Sequence, residues 1–238
     1  MSDTEPDLGE RLAAVRGRIA EAARLAGRDP AELTTVVVTK FHPASLVRRL
    51  AELGVRDVGE NRHQEARDKA AELADLDLTW HFVGQLQTKK ARQARAYARV
   101  FHSVDRVRLV DALAGGEHPL DCFVQVDLRE DAPGAQVAGA RGDARGGAAP
   151  DEVEPLAERI LAADGLRLRG VMAVAPLGEE PERAFARLRA ISERVIRLSP
   201  DARAISAGMS HDFPQAIAHG ATHLRIGTAI TGKRPDRG

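Results

Sequence analysis

Apolar residues run together, or alternate with polar ones, in eight short stretches, at 33–39, 55–59, 79–84, 100–104, 120–127, 168–173, 204–207 and 222–226. The first contains Thr35-Val36-Val37-Val38-Thr39, a continuous β-branched run of the kind carried by a strand buried on both faces. The fifth, through Asp121-Cys122-Phe123-Val124-Gln125-Val126, alternates. Apolar residues at three-to-four spacing predict helices over 44–53, 62–74, 88–97, 107–113, 153–163, 182–198 and 213–219, after an opening amphipathic helix over 8–26 that closes on Gly27. Eight strand–helix units in a chain of 238 residues predict an α/β fold, a single-domain (β/α)8 TIM barrel, with an open doubly wound sheet as the main alternative. Residues 130–150 (EDAPGAQVAGARGDARGGAAP) are rich in Ala, Gly and charge without apolar periodicity, and read as a mobile surface insertion after the fifth strand. The domain reading is therefore a flexible N-terminus over 1–7 and one barrel over 8–234, interrupted at about 130–150.

Composition narrows the function classes. The 35 basic and 35 acidic residues cancel to a net charge of zero, which leaves no nucleic-acid footprint and no membrane-surface helix. The first ten residues are acidic and lack an apolar stretch, so neither a signal peptide nor an anchor is expected, and the reading is a cytoplasmic monomer. The single cysteine, Cys122, sits in a strand and is expected to be a small buried apolar residue. The eight histidines show no metal spacing. His81 reads as a hydrogen-bonded core histidine that could also line the barrel. His102-Ser103 with Asp105 has the residue types of a hydrolase triad, but near neighbours in sequence point in different directions.

Candidate chemistry begins at Lys40. Positive charge here is carried almost entirely by Arg; the five lysines are at 40, 69, 89, 90 and 233, and all but Lys40 are expected in polar surroundings. Lys40 ends the first apolar run, just before Phe41-His42-Pro43. An amine at the mouth of a buried strand is costly to desolvate, which favours a nucleophilic or covalently engaged role. In a barrel, functional groups gather at the C-terminal ends of the strands, and phosphates are commonly held after strands seven and eight. Strand seven runs into Ser206-Ala207-Gly208-Met209-Ser210-His211-Asp212, where small residues let backbone N–H groups approach an anion and Asp212 can cap the next helix. Strand eight ends in Leu224-Arg225-Ile226-Gly227-Thr228, with a glycine and a hydroxyl at its mouth. An amine opposite a phosphate cradle is what an aldehyde-bearing phosphate ester requires, and pyridoxal 5′-phosphate is the obvious such ligand. Alternation turns Arg225 into the barrel mouth, where a guanidinium, which can only donate, would keep a pyridine nitrogen an unprotonated acceptor and the ring a weak electron sink.

Gly59-Glu60-Asn61-Arg62, Trp80-His81-Phe82-Val83-Gly84-Gln85-Leu86-Gln87 with Lys90, Phe101-His102-Ser103-Val104-Asp105-Arg106, Gly170-Val171-Met172-Ala173, Gly208-Met209-Ser210 with Asp212-Phe213, and Arg225-Ile226-Gly227-Thr228-Ala229-Ile230 follow one another along the chain. Together they resemble the pyridoxal phosphate homeostasis protein family, from about residue 33 to 234. The resemblance implies a barrel like the N-terminal domain of alanine racemase, with the cofactor on Lys40, Ser206, Gly227 and Thr228 helping to hold its phosphate, Arg225 facing the pyridine nitrogen and Asn61 nearby. Family members usually read Ser-Lys-Thr-Lys-Pro about the lysine, whereas this chain has Thr39-Lys40-Phe41-His42-Pro43. The usual Glu-Ser-Lys-Ser-Gly after strand five gives way to the insertion, and the usual Phe-Gly near the end is Thr231-Gly232.

The resemblance implies a reversible carrier that buffers pyridoxal phosphate and delivers it to apo enzymes that use it; a weak amino acid racemase is the alternative. A racemase of this type needs a second acid/base, usually a tyrosine from a second domain. The only tyrosine here, Tyr97, falls in an Ala-rich helix where packing is expected.

Overall fold

The computed structural model describes residues 7–129 and 146–233. The segments 1–6, 130–145 and 234–238 lie outside the described residues, and with them most of the expected insertion and N-terminal arm. Eight parallel strands close in sequence order into a barrel: β1 (Thr34–Val38), β2 (Asp57–Glu60), β3 (Thr79–Phe82), β4 (Val100–Val104), β5 (Leu120–Gln125), β6 (Leu166–Met172), β7 (Ala204–Ser206) and β8 (His223–Ile226). Closure is made by β1 on β8, with Thr34 opposite His223 and Val37 opposite Ile226. The helices are α1 (Leu8–Leu25), α2 (Ala44–Glu52), α3 (His63–Glu72), α4 (Ala91–Arg95), α5 (Val107–Leu113), α6 (Val153–Leu161), α7 (Pro181–Leu198), α8 (Phe213–Ala218) and a last short turn, α9 (Thr228–Thr231). Every expected strand and helix is present with its ends within two residues of the sequence reading, except the helix expected over 88–97, which is a 3-10 turn at Thr88–Lys90 followed by α4. Asp7, assigned to the flexible arm, instead begins α1: its carboxylate accepts the Glu10 N–H while Glu10 accepts the Asp7 N–H, a capping box.

Alternation along the strands builds two interiors. Outward residues such as Val37, Val58, Phe82, Phe101, Cys122, Val124, Val171, Leu224 and Ile226 are buried under the helices in one continuous apolar shell. Burial raises the Cys122 thiol to about 12 and leaves it inert. The inward face is different. A small apolar group, Val100, Phe123 and Met172, shares it with His81, His102, Ser206, His223 and Arg225. TIM barrels usually fill this space with layers of branched aliphatic side chains, so the polarity of this lumen needs its own account. Space is tight here as well: on Gly59 a Cβ would stand 3.0 Å from Val36 Cγ1, and Gly170, at φ +144, passes so close to β7 that a Cβ would meet Ala204 O. No described helix is long and apolar enough to cross a membrane.

Candidate functional site

The first candidate group, Lys40, occupies a turn directly after β1, closed by the His42 N–H donating to Thr39 O at 3.1 Å. It is half-buried, and its ammonium lies 6.0 Å from the centroid of the Phe41 ring, which also carries the Arg62 guanidinium at 4.7 Å. Phe41 adopts φ +68, a left-handed conformation that costs a bulky side chain energy and therefore needs an external hold. That hold comes from α3. Glu65 accepts the Phe41 N–H at 2.5 Å, and Lys69 donates to Thr39 O (2.8 Å), Glu60 Oε1 (2.6 Å) and Glu65 Oε1 (2.7 Å). The Thr39 hydroxyl adds a bond to Glu60 Oε1 at 2.7 Å. Both residues flanking Lys40 are thus pinned by one buried ionic cluster.

Lys69, expected in polar surroundings, has them inside the protein and not at its surface: it is only 6% exposed, and its three N–H donors all meet oxygens. Burial raises the Glu60 carboxyl above the usual range, against Lys69, which pulls it down.

Asn61 follows β2 at the same end of the barrel, and Gly84 after β3 lies so close to it that a Cβ there would stand 2.4 Å from Asn61 O. Among the described residues Asn61 Oδ1 and Glu60 Oε2 are buried without a hydrogen-bond partner. A buried acceptor left unpaired costs roughly 1–3 kcal/mol, so this corner has an unmet demand for a donor.

At β7 the outcome differs in detail from expectation. Gly208 is required by packing: at φ +90 it faces α8, where a Cβ would stand 2.8 Å from Ala216 Cβ and 2.9 Å from Phe213 Cα. Its carbonyl accepts the Arg225 N–H at 2.9 Å and so ties the β7 loop to β8. Asp212 does not cap α8. Its carboxylate accepts the Met209 N–H at 2.6 Å, clasping the loop on itself. Ser206 lies on the inner face of β7, so its hydroxyl points into the lumen, fully buried, and not out to the loop. At the end of β8, a Cβ on Gly227 would stand 3.6 Å from Val38 at the end of β1, which places this loop beside the strand that leads into Lys40, and Thr228 is exposed next to it.

Arg225 is 5% exposed and has no carboxylate within ion-pair distance among the described residues. Its guanidinium donates to Ser206 Oγ (2.6 Å) and Ala173 O (2.8 Å), leaving further N–H donors. Burial pulls it down to about 10, so it remains a cation at neutral pH. Behind it runs a file of polar side chains that sequence reasoning missed apart from the bare suggestion that His81 lines the barrel. Ser206 Oγ is 2.8 Å from His102 Nδ1, His102 Nε2 is 2.9 Å from His81 Nδ1, and His81 Nε2 is 2.9 Å from Asp57 Oδ1 at the opposite end of the barrel. Burial holds His102 well below the ordinary histidine value, hence neutral. His223, edge-on to Phe123 at 5.1 Å, is lowered to about 4 by burial and is neutral too. Tyr97, by contrast, belongs to the helical layer, its hydroxyl 3.2 Å from His63 Nδ1.

The residues present fit a planar, polar ligand with an anionic tail: a half-buried amine, an unpaired buried acceptor at Asn61, and a buried guanidinium with donors to spare stand at the ends of neighbouring or facing strands. Comparison with known proteins agrees. Residues 11–235 match a family profile described as alanine racemase, N-terminal domain. The chain is 40% identical to the pyridoxal phosphate homeostasis protein of Mycobacterium leprae over 97% of its length and 94% of that protein, and 41% identical to that of Pseudomonas aeruginosa over 95% and 96%. Among solved structures it is similar to PipY of Synechococcus elongatus with PLP bound, at a TM-score of 0.78 and 33% identity, covering 95% of this chain and all of that one. Alanine racemase from Corynebacterium glutamicum shares the fold at a TM-score of 0.68 and 15% identity, with 63% of its chain covered.

Proposed function

Because the chain belongs to the family of the alanine racemase N-terminal domain, and within it to the pyridoxal phosphate homeostasis proteins, we propose that it binds pyridoxal 5′-phosphate reversibly at the barrel mouth and buffers or delivers it, with no turnover of its own. When bound, this cofactor supplies an aldehyde reactive toward amines and a ring able to accept electrons. The chain's contribution is then positional. Lys40 would hold the aldehyde carbon covalently, the backbone around Gly208 and Gly227 with the Thr228 hydroxyl would hold the phosphate, Asn61 would serve the ring edge, and Arg225 would donate to the ring nitrogen. Ser206 would act through its bond to Arg225, in addition to any help its backbone gives the phosphate.

The observation that carries the carrier reading is Arg225, a buried guanidinium whose visible partners are a hydroxyl and a carbonyl. Such a donor cannot take up a proton from the ring nitrogen or share one with it, so the ring stays a weak electron sink. Tyr97, the only tyrosine, is held by His63 in the helical layer and offers no proton to the mouth. Loaded protein mixed with an apo enzyme that uses pyridoxal phosphate should restore that enzyme's activity, while L-alanine and L-serine keep their enantiomeric purity over hours. Racemisation at an ordinary enzymatic rate, about 1 per second or faster, would replace the carrier with a racemase.

Phosphate capture gives a second expectation. Thr228→Val removes one exposed hydroxyl and should weaken pyridoxal phosphate binding by about 1 kcal/mol, the worth of one charge-assisted hydrogen bond. Titration calorimetry against pyridoxal, which has no phosphate, is the control; equal affinity for the two would remove the cradle from these loops.

A further inference from the structure

The file of side chains through the lumen has a direction. A guanidinium only donates and a carboxylate only accepts, so the two ends, Arg225 and Asp57, constrain everything between them. Arg225 gives a hydrogen to Ser206 Oγ; the Ser206 hydroxyl hydrogen then needs an acceptor, and His102 Nδ1 at 2.8 Å is the one in reach. His102 must in turn carry its hydrogen on Nε2 and give it to His81 Nδ1, and His81 must carry its own on Nε2, facing Asp57. In the reverse arrangement His81 and His102 would donate toward Ser206, whose own hydrogen would find no acceptor among these groups, and a second positive charge would enter the lumen that already holds Arg225. The forward arrangement gives every hydrogen along the file an acceptor.

We propose that Asp57, His81 and His102 are positioning residues for cofactor binding: the carboxylate at the far end of the barrel fixes both imidazole tautomers, the tautomers fix the Ser206 hydroxyl, and that hydroxyl with Ala173 O fixes the plane in which Arg225 offers its remaining donors. This rests on the reading that Arg225 meets the ring of pyridoxal phosphate. Each link lies between 2.6 and 2.9 Å, within hydrogen-bond range, and the residues come from five different strands. Phe123 is stacked on His102 at 4.7 Å and His223 lies edge-on to it at 6.2 Å, with His223 Nδ1 2.9 Å from Thr222 Oγ1.

Asp57 is the place to test it, because its side chain is 32% exposed at the opposite end from the mouth and the barrel closes without it. Asp57→Asn keeps an oxygen acceptor for His81 Nε2–H and should bind pyridoxal phosphate as the parent does. Asp57→Leu removes the acceptor, frees His81 to move its hydrogen, and should weaken binding and speed cofactor release by about tenfold, the worth of a buried hydrogen bond misplaced at Arg225. The visible absorption band of the bound cofactor should shift with it. In an Arg225→Met background the same Asp57→Leu change should alter affinity by less than about twofold, since sites that act through one another are not additive. His102→Phe, which keeps the stack on Phe123, should repeat the Asp57→Leu result. Parental protein that fails to bind the cofactor would reject the underlying site, whereas normal binding by the parent with an unchanged Asp57→Leu, or equal losses in both backgrounds, would reject the relay alone.

Discussion

Lys40→Ala should abolish covalent attachment of pyridoxal phosphate and raise its dissociation constant at least tenfold, about 1.4 kcal/mol. Borohydride reduction followed by peptide mass analysis checks it: the pyridoxyl group should lie on Lys40 in the parent and fall to surface background in the variant. The structure sharpens this expectation, because the one other amine near the same strand end is Lys69, and its three hydrogens are already committed to Thr39, Glu60 and Glu65. With all three hydrogens engaged by oxygens around it, the Lys69 nitrogen is enclosed and not presented to an incoming carbonyl carbon. Label moving to Lys69 would therefore overturn both the assignment of Lys40 and the description of the cluster. Residual binding without a covalent bond is expected, through the phosphate loops and Arg225.

Lys69→Met should have the largest effect on stability. It leaves Glu60 and Glu65 facing each other around a methionine, with Glu60 fully buried, and removing one partner of a buried ion pair costs about 3–5 kcal/mol. A lowered denaturation midpoint with an unchanged slope would record it. The loss should depend on pH in a definite sense. Burial already raises the Glu60 carboxyl, and without Lys69 it rises further. A carboxyl whose folded pKa exceeds its unfolded value favours folding below the unfolded value and loses that contribution as pH rises through the folded one. The deficit of Lys69→Met should accordingly narrow as pH falls toward about 5 and widen above it, and Glu60→Gln in the same chain should recover a large part. Cofactor attachment should suffer as well, since Thr39 and Phe41 lose the anchor that holds the strained turn between them.

How far the sequence foretold this depended on whether an interaction is local. The strands and helices were legible because period-two and three-to-four patterns are written within each element, and a misjudged end such as β2, which starts at Asp57 and not directly after Gly54, arises because Val55 is buried without joining the sheet. Lys40 was legible as a strand-end amine, though the reason offered was off the mark: it is half-buried, and the sealed lysine is its neighbour in space, Lys69. Lys69 escaped because α3 is polar over most of its length, with only Ala66 and Lys69 buried; the Glu65–Lys69 spacing was visible, but Glu60 across on β2 was not. Asp212 looked like a cap from position alone, and a loop clasp with Met209 won instead. The lumen file was out of reach for the same reason: His102 and Ser206 are 104 positions apart, and only closure of the barrel brings them together.

The directional file of hydrogen bonds also bears on how such a protein can change over generations. Its members cannot be exchanged one at a time at low cost, because each substitution strands a hydrogen or a lone pair on the next residue along. Drift at these positions should proceed by compensated steps, with a new acceptor appearing at one end before an old one is lost at the other. Five sites scattered from Asp57 to Arg225 are then inherited as a single character.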